Sequence, residues 1–375
     1  MTNKTRAKHL VIFVLIGLLF SSSPNYAHLS SAQKSALVVA NPNSYFAIAP
    51  ALEVLPSQAS AQLVKAIAGL KQPSWEFERL QRSLSAQEKN STKPLLLDTW
   101  SRLNRQQRQQ VSEQLVSLGR YHLLYALSKR YALNPELTSL LAVWQGKSVT
   151  TFLNNPYLRQ FHTLSERQHS SASCRFNLAL IAGDLDGLQR LQVLKHAYEQ
   201  QPEPAKGVYC LSKPIYAANK LSCKRRRGFA MCDLRHEQGL SEYDHLVLMA
   251  TEGLANVSGK HMTLTATSTY NTLVHELMHF SGFEDEYPVP AKKAKWLCAT
   301  SGQKAPNLYV GDHAPNNWVP SRTCELGKLS SYKPSNSHSL LEYQSIKLDE
   351  NYRKRWLAVL NSIRLEDKIA VNSAE

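Results

Sequence analysis

Apolar residues follow a helical period through the first part of the chain and a shorter, strand-like rhythm later. Residues 57–71, 74–87 and 106–129 carry apolar positions three or four apart, which predicts amphipathic helices. In the last of these, Leu115, Leu118, Leu123, Leu124 and Leu127 line one face. Asn134 followed by Pro135 reads as a cap and a first helical residue, opening a further helix over 136–145. After residue 170 the rhythm changes. Residues 176–182 form an unbroken apolar run stopped by Gly183-Asp184, which predicts a buried strand. Leu185, Leu188, Leu191, Leu194 and Ala197 then mark a helix over 184–200. Short strands are expected at 209–211 and 215–218, and stronger ones at 245–250 and 261–267, with a turn-like stretch at 253–259 between them. Ser268-Thr269 caps a helix over 271–280, and Gly282 ends it.

A run of helices followed by strands mixed with helices points to an α+β chain. The polar stretch 168–173 divides it into a helical region, 28–170, and a mixed region, 171–375. The helical region holds no cluster of ligand-type residues, so it reads as a support, a lid over the second region or an adaptor surface. Residues 1–27 stand apart. A basic head with Lys4, Arg6 and Lys8 precedes an apolar run from 10 to 20, then small and polar residues up to Ala27. This is the layout of a secretory signal peptide, with an apolar run too short for an ordinary membrane span. The expectation is a secreted or periplasmic protein with no permanent membrane span after cleavage.

Export changes how charge and cysteine are read. Removing the leader lowers the formal charge from +15 to about +12. A basic exported protein suits an anionic cell-envelope surface, and no motif for specific nucleic-acid recognition is present. The bare cationic run 224–227 reads as a solvated hairpin or loop, or as a patch for such a surface. All six cysteines, Cys174, Cys210, Cys223, Cys232, Cys298 and Cys324, lie in the second region. An even count in an oxidising compartment predicts up to three disulfides. Sequence does not choose among the pairings; nearest neighbours would pair Cys174 with Cys210, Cys223 with Cys232 and Cys298 with Cys324.

The chemistry concentrates in HELMHFSGFEDEY, His275 to Tyr287. His275 and His279 stand one helical turn apart and can offer two neutral imidazoles to one Zn2+ ion. Glu276 beside them is the natural general base for a water on that metal. Gly282 lets the chain reverse, so Asp285 can return as a third metal ligand, with Glu286 as runner-up. Tyr287 and His338 are further candidates near the site. Glu325 and Glu342 would matter only if a later helix supplied the carboxylate, and Lys292, Lys293 and Lys295 could rim a cleft.

His275, Glu276, His279, Gly282 and Asp285 match in place the pattern of the metzincin clan of zinc endopeptidases. The Asp-Glu-Tyr ending most resembles the bacterial immunoglobulin A peptidase-related metallopeptidases, and snapalysin-like enzymes also use aspartate as third ligand. The resemblance implies a twisted, mixed sheet over an active-site helix. It also implies an edge strand, expected at 261–267, that pairs with an extended polypeptide substrate. The methionine of the clan's turn is missing; Leu341 or Leu340 would take its place within 332–341. The function implied is an exported zinc metallopeptidase. A zinc amidase acting on cell-wall peptides and a non-catalytic binding protein on a peptidase-like fold remain open alternatives.

Overall fold

The computed structural model describes residues 29–41, 73–85, 92–166, 173–235 and 239–372. The expected signal peptide, the helix at 57–71 and most of the polar stretch 168–173 lie outside them. The chain divides into two compact units between Leu133 and Asn134.

The first unit is helical where it is described. Its helices are α1 (Ser31–Ala40), α2 (Pro73–Ser85), α3 (Thr92–Thr99), α4 (Arg105–Ser117) and α5 (Tyr121–Ser128). Leu80, Leu84, Leu96, Trp100, Leu115, Leu124 and Leu127 make its core. The single helix expected over 106–129 is in fact two. Gly119 takes a left-handed φ of +64° and stops α4, a conformation that costs glycine nothing. A reciprocal capping box between Asn104 and Gln107 starts α4.

The second unit begins earlier than the composition shift suggests. In α6 (Pro135–Trp144), Asn134 accepts the Leu137 N–H at 2.8 Å, and Pro135 is the first helical residue. Beyond α6 the chain is tied to strands later in the sequence. Phe152 stacks on Tyr216 with ring centroids 5.2 Å apart. The Tyr216 hydroxyl donates to the Lys147 carbonyl at 2.7 Å. Strand β1 (His162–Thr163) pairs in parallel with β4 (Ile215–Tyr216). These long-range contacts, invisible to a composition count, move the boundary from 170/171 to 133/134.

The remaining strands of the main sheet are β2 (Phe176–Ala182), β3 (Tyr209–Leu211), β7 (His245–Ala250), β8 (Asn256–Ser258) and β9 (His261–Thr265). The order is β1-β4-β2-β7-β9-β8, with β3 also on β2. All pairings are parallel except β8 on β9, so the sheet is mixed. Side chains alternate across it. Ala179, Ile181, Ile215, Leu246 and Leu248 bury one face together with Leu234, Leu240 and Tyr243. Helix α7 (Leu185–Gln200), capped by Asp184, covers the other. Gly187 permits this close approach: a Cβ there would stand 3.0 Å from the Ala182 side chain and 3.1 Å from Met249.

Strands β5 (Leu221–Arg226) and β6 (Phe229–Leu234) make a separate hairpin. A four-stranded antiparallel sheet lies later in the chain: β10 (Gly302–Ala305), β11 (Leu308–Gly311), β12 (Val319–Ser321) and β13 (Ser330–Lys333), in the order β10-β11-β13-β12. Its core includes Val289, Leu297, Leu308, Val310 and the Cys298–Cys324 disulfide. The other bridges are Cys174–Cys210 and Cys223–Cys232, so the pairing is nearest-neighbour throughout. No described helix is long and apolar enough to cross a membrane.

Candidate metal centre

Helix α8 (Tyr270–Phe280) carries the His-Glu-x-x-His run. Thr269 caps it by accepting the Thr272 N–H at 3.2 Å. Leu273, Val274, Leu277 and Met278 are buried and seat the helix, while His275 and His279 share another face. At the far end Trp356, on helix α10 (Glu350–Asn372), donates its indole N–H to Ser281 Oγ at 2.8 Å. Gly282 then takes a φ of +78°, which releases the chain from the helix and turns it back.

That reversal orients the imidazoles. His279 Nδ1 lies 2.8 Å from the Phe283 carbonyl, and His275 Nδ1 lies 3.1 Å from the Leu340 carbonyl. A carbonyl only accepts, so each ring in its neutral form carries its proton on Nδ1 and turns Nε2 toward the other ligand-type atoms. The two Nε2 atoms approach to 3.1 Å. Asp285 Oδ1 lies 3.3 Å from each. Neither Asp285 Oδ1 nor Glu276 Oε2 has a well-formed hydrogen bond, although both atoms are buried. Three electron-rich atoms this close, away from water, repel unless a proton or a cation lies among them.

The electrostatics reflect that crowding. Burial, the largest influence on His279, favours its neutral form, but Asp285 and Glu276 together outweigh it and lift its pKa to about 9. Burial also opposes ionisation of Asp285, yet the two imidazoles hold its carboxyl well below the usual range. Burial pushes Glu276 up, against the partial pull of the histidines. A metal-free centre thus keeps a proton where a cation would otherwise serve. His275, Glu276 and His279 offer ligand atoms within 4.8 Å of one another and can hold a divalent metal. Imidazole nitrogen with carboxylate oxygen is a donor set that suits zinc.

The loop after the helix is pinned on several sides. Glu284 exchanges backbone bonds with the Asn307 side chain at 2.9 and 2.7 Å. Thr323 Oγ1 donates to the Asp285 carbonyl at 2.7 Å, and Glu286 N–H donates to the Leu341 carbonyl at 3.0 Å. Lys293, on α9 (Ala291–Leu297), pairs with Glu284 and comes within 3.9 Å of Asp285 Oδ2; Lys292 and Lys295 face solvent. Tyr287 lies with its ring nearly parallel to His275 at 6.4 Å. Burial, and then the charge of Asp285, raise its phenol pKa, so the hydroxyl keeps its proton.

Other candidates are engaged elsewhere. Glu286 turns away from the histidines and is sealed among donors: Asn307 Nδ2 at 2.9 Å, Tyr352 Oη at 2.5 Å and Ser339 Oγ at 2.5 Å. His338 is exposed and bonds to Glu342 at 2.9 Å, so it is not a group of the metal centre. Glu342 also receives Lys333 at 2.6 Å, and Glu325 pairs with Arg322 at the surface. Residues 261–263 of β9 are covered by β8, so β8 is the edge strand, and it runs beside α8. The sequence pattern hides this strand in a turn-like stretch because it has only three residues. The Phe283 and Leu340 carbonyls leave no mark in the pattern, since a backbone group has no side-chain signature.

No family model matches the chain, and no curated protein or solved structure matches it. What the chain has in common with known chemistry rests on the site itself: a buried His-Glu-x-x-His cluster, which is a zinc-metallopeptidase-type active site on an α+β fold.

Proposed function

We propose that the chain is an exported zinc endopeptidase of the metzincin kind, with His275, His279 and Asp285 as metal ligands and Glu276 as general base. The observation that carries this reading is the triangle of bare ligand atoms, with edges of 3.1, 3.3 and 3.3 Å. Ligands about 2.0–2.1 Å from a tetrahedral zinc lie roughly 3.3–3.4 Å apart, so these edges fit one face of such a shell. An ion held by these three residues would supply a site for water or for the substrate carbonyl. Glu286, by contrast, has no capacity to spare for a metal.

When bound, the ion acidifies a water and polarises the scissile carbonyl. The chain supplies the rest. Glu276 takes the proton from the attacking water at its unpartnered Oε2 and passes it to the departing amine nitrogen. Its burial raises its basicity above that of an ordinary carboxylate. Tyr287 keeps a proton to donate near the centre. The Phe283 and Leu340 carbonyls hold both imidazoles in one tautomer. The antiparallel edge strand β8 beside α8 offers main-chain groups to an extended polypeptide.

A retained buried carboxylate with an unsatisfied oxygen favours hydrolysis over a non-catalytic binding role. An amidase acting on cell-wall peptides would use the same groups, and hydrolysis of casein compared with peptidoglycan separates the two. The deciding experiment for the site is metal analysis of purified protein. Wild type should hold one zinc per chain, and His275→Ala and Asp285→Ala should lose it. Stoichiometric zinc in Asp285→Ala would reassign the third ligand.

A further inference from the structure

The β5–β6 hairpin carries a feature that the metal centre does not use. Lys224, Arg225, Arg226 and Arg227 stand one after another up to its tip, and all four are exposed. None forms an ion pair among the described residues. Asp233 lies at the far end of the hairpin, opposite Ser222, and does not pair with them. Four adjacent cations repel one another, so their concentration on one short element needs a reason beyond solvation.

The hairpin is also rigid. The Cys223–Cys232 disulfide joins directly paired residues of its two strands. Ala230 N–H donates to the Leu254 carbonyl, and Leu254 N–H donates to the Gly228 carbonyl, both at 2.9 Å. Asn256 Nδ2 reaches the Ala230 carbonyl at 2.6 Å. Arg227 and Gly228 close the tip with φ of +52° and +92°. This is a two-residue turn with both central residues left-handed, where asparagine and glycine are the usual occupants. An arginine is held there in a conformation that its Cβ disfavours.

Apolar side chains accompany the cations. Met231 lies directly across from Lys224, and on that face Lys224, Arg226 and Met231 point outward while Ala230, its neighbour in sequence, is buried. Leu254, which packs beside Gly228, is 60% exposed, and Met231 is 45% exposed. Cations alone would suit any polyanion. Cations beside exposed methionine and leucine on a preformed projection suit a lipid interface, which takes charge at the headgroups and apolar groups just below.

We propose that this hairpin, with Leu254, docks the protein on an anionic phospholipid surface. Each cation contributes roughly fivefold to partitioning at low salt. The attraction fades as the screening length shortens. The proposal is independent of the zinc reading.

Vesicle co-sedimentation of the full chain tests it, using phosphatidylglycerol-rich and pure phosphatidylcholine vesicles. Binding is expected to the first, weakly or not at all to the second, and to fall steeply with salt. The variant K224S/R225S/R226S/R227S should lose binding by a hundredfold or more. M231S/L254S, with charge unchanged, should lose it about tenfold. Glu276→Gln should bind as wild type does. Near-ultraviolet circular dichroism confirms that each variant keeps its fold. The proposal falls if the fourfold variant binds normally. It also falls if M231S/L254S binds like wild type while a soluble polyanion such as polyglutamate displaces the protein, because the hairpin would then serve an acidic polymer.

Discussion

Two carboxylates adjacent in sequence, Asp285 and Glu286, meet opposite fates. Asp285 faces the Nε2 atoms of two imidazoles and keeps a buried oxygen without a well-formed hydrogen bond. Glu286 has three donors on its two oxygens, with Lys333 at 3.8 Å, and is sealed between the loop, the small sheet and α10. Unsatisfied polarity is costly in a fold, so where it persists beside metal-type donors it marks chemistry. Satisfied polarity marks scaffold. The same contrast separates Glu276, whose Oε2 is unpartnered, from Glu203, whose two oxygens accept from Nε and Nη2 of Arg353 at 2.8 and 2.7 Å.

The sharpest way to break this contrast is Glu276→Gln. An amide cannot accept the proton, so turnover should fall by about 10²–10⁴-fold, roughly 3–5 kcal/mol on the barrier. Zinc content and thermal midpoint should stay near wild type, because the carboxylate supports neither the metal nor the packing. A variant that kept turnover would place the base elsewhere.

The next largest effect compares the neighbours directly. Glu286→Ala leaves Asn307, Ser339 and Tyr352 facing a buried gap, and should cost about 2–4 kcal/mol of stability while folded protein still takes up zinc. Asp285→Ala should do the reverse: modest change in folding of the metal-free protein, and loss of zinc affinity by more than about a hundredfold. Urea unfolding and metal competition on both variants read the two axes separately. Equal loss of zinc from both would dissolve the distinction.

How much of this could be read from the chain depends on how local the cause was. Helix α8, its stop at Gly282 and the cap at Asn134 are set by neighbours in sequence, and they are found where the pattern predicts them. The convergence of His275, Glu276 and His279 comes from helical spacing alone. The break at Gly119 was hidden because leucines continue on both sides of it. The membership of 134–166 in the second unit rests on Phe152 meeting Tyr216, some 64 positions away in the numbering of those two residues, and no pattern carries that. Glu286 looked like a spare ligand because its three donors come from distant segments, at Asn307, Ser339 and Tyr352.

A smaller effect should appear with pH once the metal is chelated. The folded pKa of His279, about 9, exceeds the unfolded value near 6.5. The protonated ring beside Asp285 therefore stabilises the metal-free protein fully below pH 6.5. That stability is lost as pH rises through 9, by roughly 3 kcal/mol. Asp285→Asn should flatten the decline. Zinc affinity should run the other way, increasing across the same window, because the ion displaces this proton. A chelated protein whose midpoint does not fall between pH 6.5 and 9 would mean that the imidazoles are not coupled to Asp285.

The smallest effect concerns His338, which sits close in sequence to the turn that holds Leu340 and so resembles a candidate for the centre. Its side chain is 67% exposed and bonds to Glu342. Burial opposes ionisation of Glu342, but Lys333 at 2.6 Å and His338 both favour it, and together they keep its carboxyl below the ordinary range. Lys333 is buried and remains when the imidazole is removed, so Glu342 stays paired and the turn keeps its shape. His338→Ala should change turnover by less than about twofold and stability by less than about 0.5 kcal/mol. The contrast with Glu276 is then one of connection: His338 is exposed and paired with Glu342, whereas Glu276 is buried with an oxygen that has no hydrogen-bond partner. A tenfold loss of turnover in His338→Ala, with zinc retained, would show that an exposed side chain paired to Glu342 can still serve the reaction, and would overturn the rule that separates the two classes here.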